Sequence, residues 1–313
     1  MKKLWQYLRQ HIQQDFNLGE YASIAVFLTI CIIFNYKYDF EDSFLDQQSG
    51  VTKFAFYALT HAVAYFIPVL LIQLFANKKL NLTRDFWVRA LFLVAVISFD
   101  RSGLFVEPWA LNNTHYEISY LAYKIAHNLA GILYIILPVF LFYLIYEKPR
   151  NGFYGLASKT PDIKPYIMLL LIMLPIIVMA SFLPGFQQQY PMYKVTTAHE
   201  FLGVPEWVTV LSYELAYASN FISVEFFYRG FLVIGMAAAL GRSAILPMAS
   251  LYCFLHFGKP MPEAVSSIFG GYILGVIALE TRSIWGGIFV HVGIAWLMEI
   301  AAFMQSVVRN YQH

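Results

Sequence analysis

The stretch that decides the fold is "EWVTVLSYELAYASNFISVEFFYRGFLVIGMAAAL", residues 206–240, an uninterrupted and mostly apolar run. Its roughly 35 residues would make one helix about 52 Å long at a rise of 1.5 Å per residue. A bilayer's hydrocarbon core is only about 30 Å thick. The run is therefore expected to tilt, kink, protrude or divide into two pieces. It also carries Glu225 and Arg229 four residues apart in its middle, with Glu214 about three turns earlier on the same face.

Outward from this run, the whole chain reads as membrane-embedded. Of 313 residues, 59% are hydrophobic and 13% charged, against roughly 25% charged in soluble domains. Further apolar runs lie at 21–36, 54–76, 86–104, 120–146, 165–183, 243–257, 263–280 and 284–306. The expected fold is all-α, a polytopic transmembrane helical bundle of about 8–9 spans. The expected organisation is an amphipathic segment at 1–20, transmembrane helices without an assigned role at 21–205, and a polar-residue-bearing core at 206–306.

The net charge of +2 implies neither nucleic acid nor an acidic partner. Cys31 and Cys253 lie in separate apolar runs and form neither a disulfide framework nor a zinc pattern. The N-terminus has too long a polar lead for a cleavable signal and reads as a basic amphipathic helix on the cytoplasmic face. Loop charges agree with a cytoplasmic N-terminus. Lys2, Lys3, Arg9, Lys78, Lys79, Arg84, Lys148, Arg150, Lys159, Lys164, Arg242 and Arg282 fall inside, against Lys37, Lys53, Arg101, Lys194, Lys259 and Arg309 outside. The expected location is a multi-pass protein of a bacterial inner membrane.

Ionisable residues inside a membrane are costly and usually face a bundle interior or a wet cavity. Glu225 and Arg229 can form an ion pair that only locks the bundle. "YCFLHFGKPMPEA" adds His256 at a helix end, with Tyr252 one turn before it. Gly258, Pro260 and Pro262 stop that helix, and Glu263 suits the first turn of the next. "SIWGGIFVHVGIAW" adds His291. A lone histidine on an apolar helix is more often a satisfied core residue than a catalyst, and His61 and His127 are left as structural or unassigned. Counting along the two limbs joined by "GRS" places Glu225 and His256 at similar depth, with His291 shallower. Ser267, Gly271 and Gly275 repeat every four residues, a face that lets helices approach closely and would draw together those carrying His256 and His291.

Together these residues resemble the CAAX-protease and bacteriocin-processing family of intramembrane proteases, whose eukaryotic branch removes the tail of prenylated proteins. "VEFFYRG" resembles the first motif through Glu225, Arg229 and Gly230. Tyr252 and His256 resemble the second, with tyrosine where phenylalanine is usual. His291 resembles the third, with Ala295 where an asparagine or aspartate is usual. Val224 stands where the pattern has its first glutamate. The resemblance covers about residues 206–306.

The resemblance implies an intramembrane endopeptidase acting on a membrane-embedded or lipidated peptide substrate. Glu225 and His256 would activate a water, His291 would donate to the oxyanion, and Arg229 would orient Glu225. Burial and the neighbouring guanidinium act on the carboxyl in opposite senses, the balance that tunes a base. No cofactor is expected. A zinc held by Glu225, His256 and His291 is the minority alternative, since they lack the compact HExxH spacing. Cys253 is a poor nucleophile in an apolar helix. Val224 and Ala295 leave open a catalytically inactive relative serving as scaffold, chaperone or immunity protein. A transporter is a third class, although the two halves show no repeat.

Overall fold

The computed structural model describes residues 2–75, 80–147, 152–158 and 162–311, with side chains described to residue 308. Lys78, Lys79, Lys148, Arg150 and Lys159 lie outside the described residues, as does the side chain of Arg309. The described residues are helical with no strand among them. That is the all-α bundle that lipid demands, because a helix satisfies its own backbone hydrogen bonds.

Helix α1 (Lys2–Asp15) turns Leu4 and His11 inward and leaves Lys2, Lys3, Trp5 and Arg9 exposed. Its place on the bundle is fixed by the His11 ring against Tyr272, 5.6 Å between centroids, and by Asp15 pairing with Arg242. Helix α2 (Leu18–Tyr38) starts where the Asn17 side chain accepts from the amides of Gly19 and Glu20 at 2.9 and 3.3 Å, a side-chain cap for otherwise orphaned donors. It ends at Asp39 in the left-handed region, φ 51°. A π-helical turn at Glu41–Leu45 follows, then α3 (Gly50–Phe75), α4 (Arg84–Ser102) and α5 (Val106–Asn113). Helix α6 (Tyr116–Gly131) continues through a π stretch into α7 (Leu137–Phe142). Helix α8 (Lys164–Ala180) leads to the short helices α9 (Pro184–Gln189) and α10 (Ala198–Leu202).

The run 206–240 is α11 (Glu206–Glu225), a π-helical stretch at Phe226–Gly235 and α12 (Ala237–Leu240). A 3-10 turn at Gly241–Ala244 joins it to α13 (Ile245–Phe254), and α14 (Met261–Thr281) and α15 (Trp285–Tyr311) complete the chain. The chain folds back at Gly241, whose φ is 59°. A straight helix would separate Tyr228 from Tyr252 by about 36 Å, yet their ring centroids are 5.0 Å apart. So the long run is one limb of an antiparallel pair, and the turn uses a glycine where a side chain would be strained.

Among the described residues six stretches are long and apolar enough to cross a membrane: Leu18–Tyr38, Gly50–Phe75, Tyr116–Glu147, Glu206–Phe254, Met261–Thr281 and Trp285–Val308. The eight or nine runs of the sequence reading include α4, α8 and both limbs of 206–254. Helix α4 carries Arg84, Asp85 and Arg89 at one end and Asp100 and Arg101 at the other. Helix α8 is shorter, at 17 residues. The segment 206–254 turns back at Gly241 and holds two antiparallel limbs. One apolar core runs across residue 205, joining Ile24, Tyr65, Leu93 and Val139 to Phe226, Phe231, Met248 and Ile288.

Candidate functional site

Glu225 ends α11, where the chain passes into the π-helical stretch that carries Arg229. Wider π turns inside helices are frequent at functional sites. Here the wider turn keeps residues four apart on one side. Glu225 is 0% and Arg229 1% exposed. Arg229 Nη1 lies 3.0 Å from Glu225 Oε1, an ion pair by distance. No guanidinium nitrogen of Arg229 has an aligned hydrogen-bond acceptor among the described residues. The guanidinium lies instead over the Tyr252 ring, 4.2 Å from its centroid, a cation–π contact that partly offsets its burial.

His291 reaches Glu225 directly: its Nδ1 is 2.9 Å from the same Oε1. Its Nε2 is 3.1 Å from the Tyr252 hydroxyl, and its ring lies 4.4 Å from that of Phe221. The expectation of a shallower His291 differs from this placement. The reason is Gly287, four residues earlier on the same face of α15. A Cβ there would sit 2.2 Å from Glu225 Oε2, so the missing side chain is what lets the carboxylate lie against α15. The other carboxylate oxygen, Oε2, is buried with no hydrogen-bond donor among the described residues.

His256 follows the end of α13. Its Nδ1 is 2.8 Å from its own turn's Tyr252 carbonyl. A carbonyl only accepts, so Nδ1 carries the hydrogen and Nε2 of the neutral ring is left as an open lone pair. Its ring meets the Tyr252 ring edge-on, centroids 4.6 Å apart. The turn that presents His256 is held from another part of the chain. Tyr36 donates to the carbonyls of Lys259 at 2.7 Å and His256 at 3.3 Å. The buried Asn35 side chain donates to the Phe257 carbonyl at 3.1 Å. The His256 carbonyl also accepts from the Lys259 amide at 3.0 Å, so the turn after α13 is held by its own backbone and by α2 together. Beyond the turn, Tyr190 donates to both oxygens of Glu263 at 3.0 and 3.1 Å, and Glu299 accepts from the Met192 amide at 2.8 Å. This ties residues 190–193 across the same face.

The structure therefore brings Glu225, Arg229 and His291 into contact, with His256 across Tyr252. Among the described residues no group of three or more His, Cys, Asp or Glu is placed to hold a metal. The Cys253 thiol faces the Ala264 carbonyl at 3.5 Å. His61 is a core residue, its Nδ1 2.9 Å from Ser98 Oγ. His127 pairs with Glu107 at 2.6 Å. Glu214 has one oxygen buried without a hydrogen-bond donor among the described residues. Ala295 is buried among Leu121, Tyr213 and Tyr217, and Val224 packs on the apolar core.

The small-residue face of α14 does less than its spacing suggests. Gly271 and Gly275 seat Tyr252 and Met248 of α13, where a Cβ would lie 3.0 and 2.7 Å from side-chain atoms. Helix α15 is approached through its own glycines: Gly286 receives Tyr166 and Gly293 receives Leu170 of α8. Sequence reasoning missed Gly287, the Tyr252 hydroxyl bridge, and the hold of Asn35 and Tyr36 on the His256 turn. The Gly286–Gly287 pair at helical spacing from His291 was the available signal for the first.

Residues 206–297, less than a third of the chain, match a family model described as type II CAAX prenyl endopeptidase Rce1-like. Neither the curated proteins nor the solved structures include a match to this chain.

Proposed function

From an Rce1-like segment set in an integral membrane bundle, we propose that this protein is an intramembrane endopeptidase that hydrolyses a peptide bond of a membrane-associated substrate, lipidated or not. The observation that carries the reading is a buried carboxylate joined to one imidazole, with a second imidazole across the same tyrosine holding an open nitrogen. His256 Nε2 takes the proton of the attacking water and later gives it to the leaving amine. Glu225 holds His291 through Nδ1. Arg229 holds Glu225 in place, its Nη1 3.0 Å from Oε1. No metal enters this scheme.

The N-terminus is proposed to face the cytoplasm of a bacterial inner membrane, on the loop-charge asymmetry. A second reading, an inactive relative that binds a membrane partner, draws on the absence of exposed Glu225 surface and on Val224 in place of a first carboxylate. The test is cleavage of membrane peptides by protein reconstituted in liposomes. Wild type is compared with Glu225→Gln and His256→Ala, each with and without chelator. The expected result is cleavage that either substitution abolishes and chelator leaves intact. Loss of wild-type cleavage with chelator restores the zinc alternative. A folded wild type that cleaves nothing while retaining partner binding favours the inactive reading.

A further inference from the structure

Tyr252 meets three members of the site at once. Arg229 lies on its ring face at 4.2 Å, the His256 ring is 4.6 Å away, and its hydroxyl is 3.1 Å from His291 Nε2. It is 5% exposed and seated on Gly271, where a Cβ would come within 3.0 Å of its ring. An apolar ring would fill this pocket equally well. The hydroxyl adds nothing to packing, but it extends the hydrogen-bonded chain from Glu225 through His291 by one more group, toward the ring of His256.

We infer that the Tyr252 hydroxyl is the oxyanion donor of the site, a role that rests on the peptidase reading above. The chain has two proton arrangements. With His291 neutral, Nδ1–H donates to Glu225 and Nε2 accepts from the phenol. With His291 protonated, Nε2–H donates to the phenol oxygen, and the phenol O–H turns outward. Glu225 Oε1, 2.9 Å from Nδ1, accepts from His291 in both arrangements, and in the second the phenol O–H is released to donate elsewhere.

In the reaction, the water oxygen bonds to the carbonyl carbon and its proton passes to His256 Nε2. The carbonyl π pair moves onto oxygen, and that oxyanion accepts a hydrogen bond from Tyr252 O–H with no net proton transfer. On collapse the C–N bond breaks, and the proton on His256 goes to the amine. Acid and amine are the only products, and no oxidant or further reactant is needed.

The test uses the full chain in liposomes and the membrane-peptide assay. Tyr252→Phe keeps the ring, the cation–π contact and the seat on Gly271, and removes only the hydroxyl. Loss of one oxyanion donor lowers kcat by about 10²–10³-fold, with KM unchanged. Fluorinated tyrosine at position 252 is a more acidic donor and moves the alkaline limb of the pH–kcat profile to lower pH, a change that a packing role would not produce. An active wild type with an equally active Tyr252→Phe overturns the donor role and leaves the peptidase standing. If Tyr252→Phe does not fold, the fluorotyrosine profile decides, and an unmoved alkaline limb overturns the donor role. A wild type that cleaves nothing overturns both together.

Discussion

Gly287→Ala probes the contact that joins two separately coded parts of the site. The added Cβ would lie 2.2 Å from Glu225 Oε2, well inside the 3.0 Å that Cβ atoms keep from their neighbours. The atom it meets is the head of a carboxylate with no exposed surface, pinned by Arg229 and His291. If the carboxylate yields by the 0.8 Å between those two distances, its 2.9 Å bond to His291 opens beyond hydrogen-bond range. Losing a hydrogen bond to a charged group costs about 1.5–3 kcal/mol. If α15 yields instead, overpacking costs roughly 1–3 kcal/mol. Either route predicts a loss of about 1–3 kcal/mol in unfolding of the protein in mixed micelles, with loss of peptide cleavage. Two controls separate the site from general helix packing. Gly270→Ala meets nothing within 4 Å and should be neutral or slightly stabilising, because alanine favours helix over glycine. Gly286→Ala strikes the Tyr166 ring at 2.1 Å, so it should destabilise by disturbing α8 rather than Glu225. A Gly287→Ala protein with wild-type stability and wild-type cleavage would refute the reasoning.

Glu225→Gln leaves the Arg229 charge buried and without its counterion, a loss of ~3–5 kcal/mol; Arg229→Met in the same protein should recover much of it, which a double-mutant cycle in micelles measures. Tyr36→Phe removes the donor to the carbonyls of His256 and Lys259; the expected cost is about 1 kcal/mol, with a fall in kcat larger than the change in KM. Docking of α1 should depend on pH through His11. Burial, reinforced by Arg242 and opposed by Asp15, pushes its pKa down from 6.5 to about 4. The free helix therefore binds the proton more readily than the docked one. Docking is at full strength above pH 6.5 and weakens as pH falls from 6.5 toward 4, a change that Trp5 fluorescence or protease access to α1 reports. His11→Asn should flatten that dependence. Glu299→Gln weakens the acceptor for the Met192 amide, and faster proteolysis within residues 190–193 is the expected outcome.

The helical class and the membrane setting follow from composition and apolar run length, because a bilayer admits few other backbones. The Glu225–Arg229 pair was equally legible, since contact at four-residue spacing is a local property of a helix. The fold-back near Gly241 was marked by a run too long for one span, and by a glycine at the turn. Three things needed the tertiary structure. Which histidine touches Glu225 depends on how close α15 comes to α11, and that distance is set by an absent side chain at Gly287 rather than by any periodicity. The tyrosine between the histidines reads in sequence as another core aromatic, because its hydroxyl gains meaning only from the His291 nitrogen 3.1 Å away on another helix. The grip of Asn35 and Tyr36 on the His256 turn joins residues more than 200 positions apart. Sequence records the local periods that choose helices and bury faces; partners on separate helices meet only when packing sets their depth and rotation.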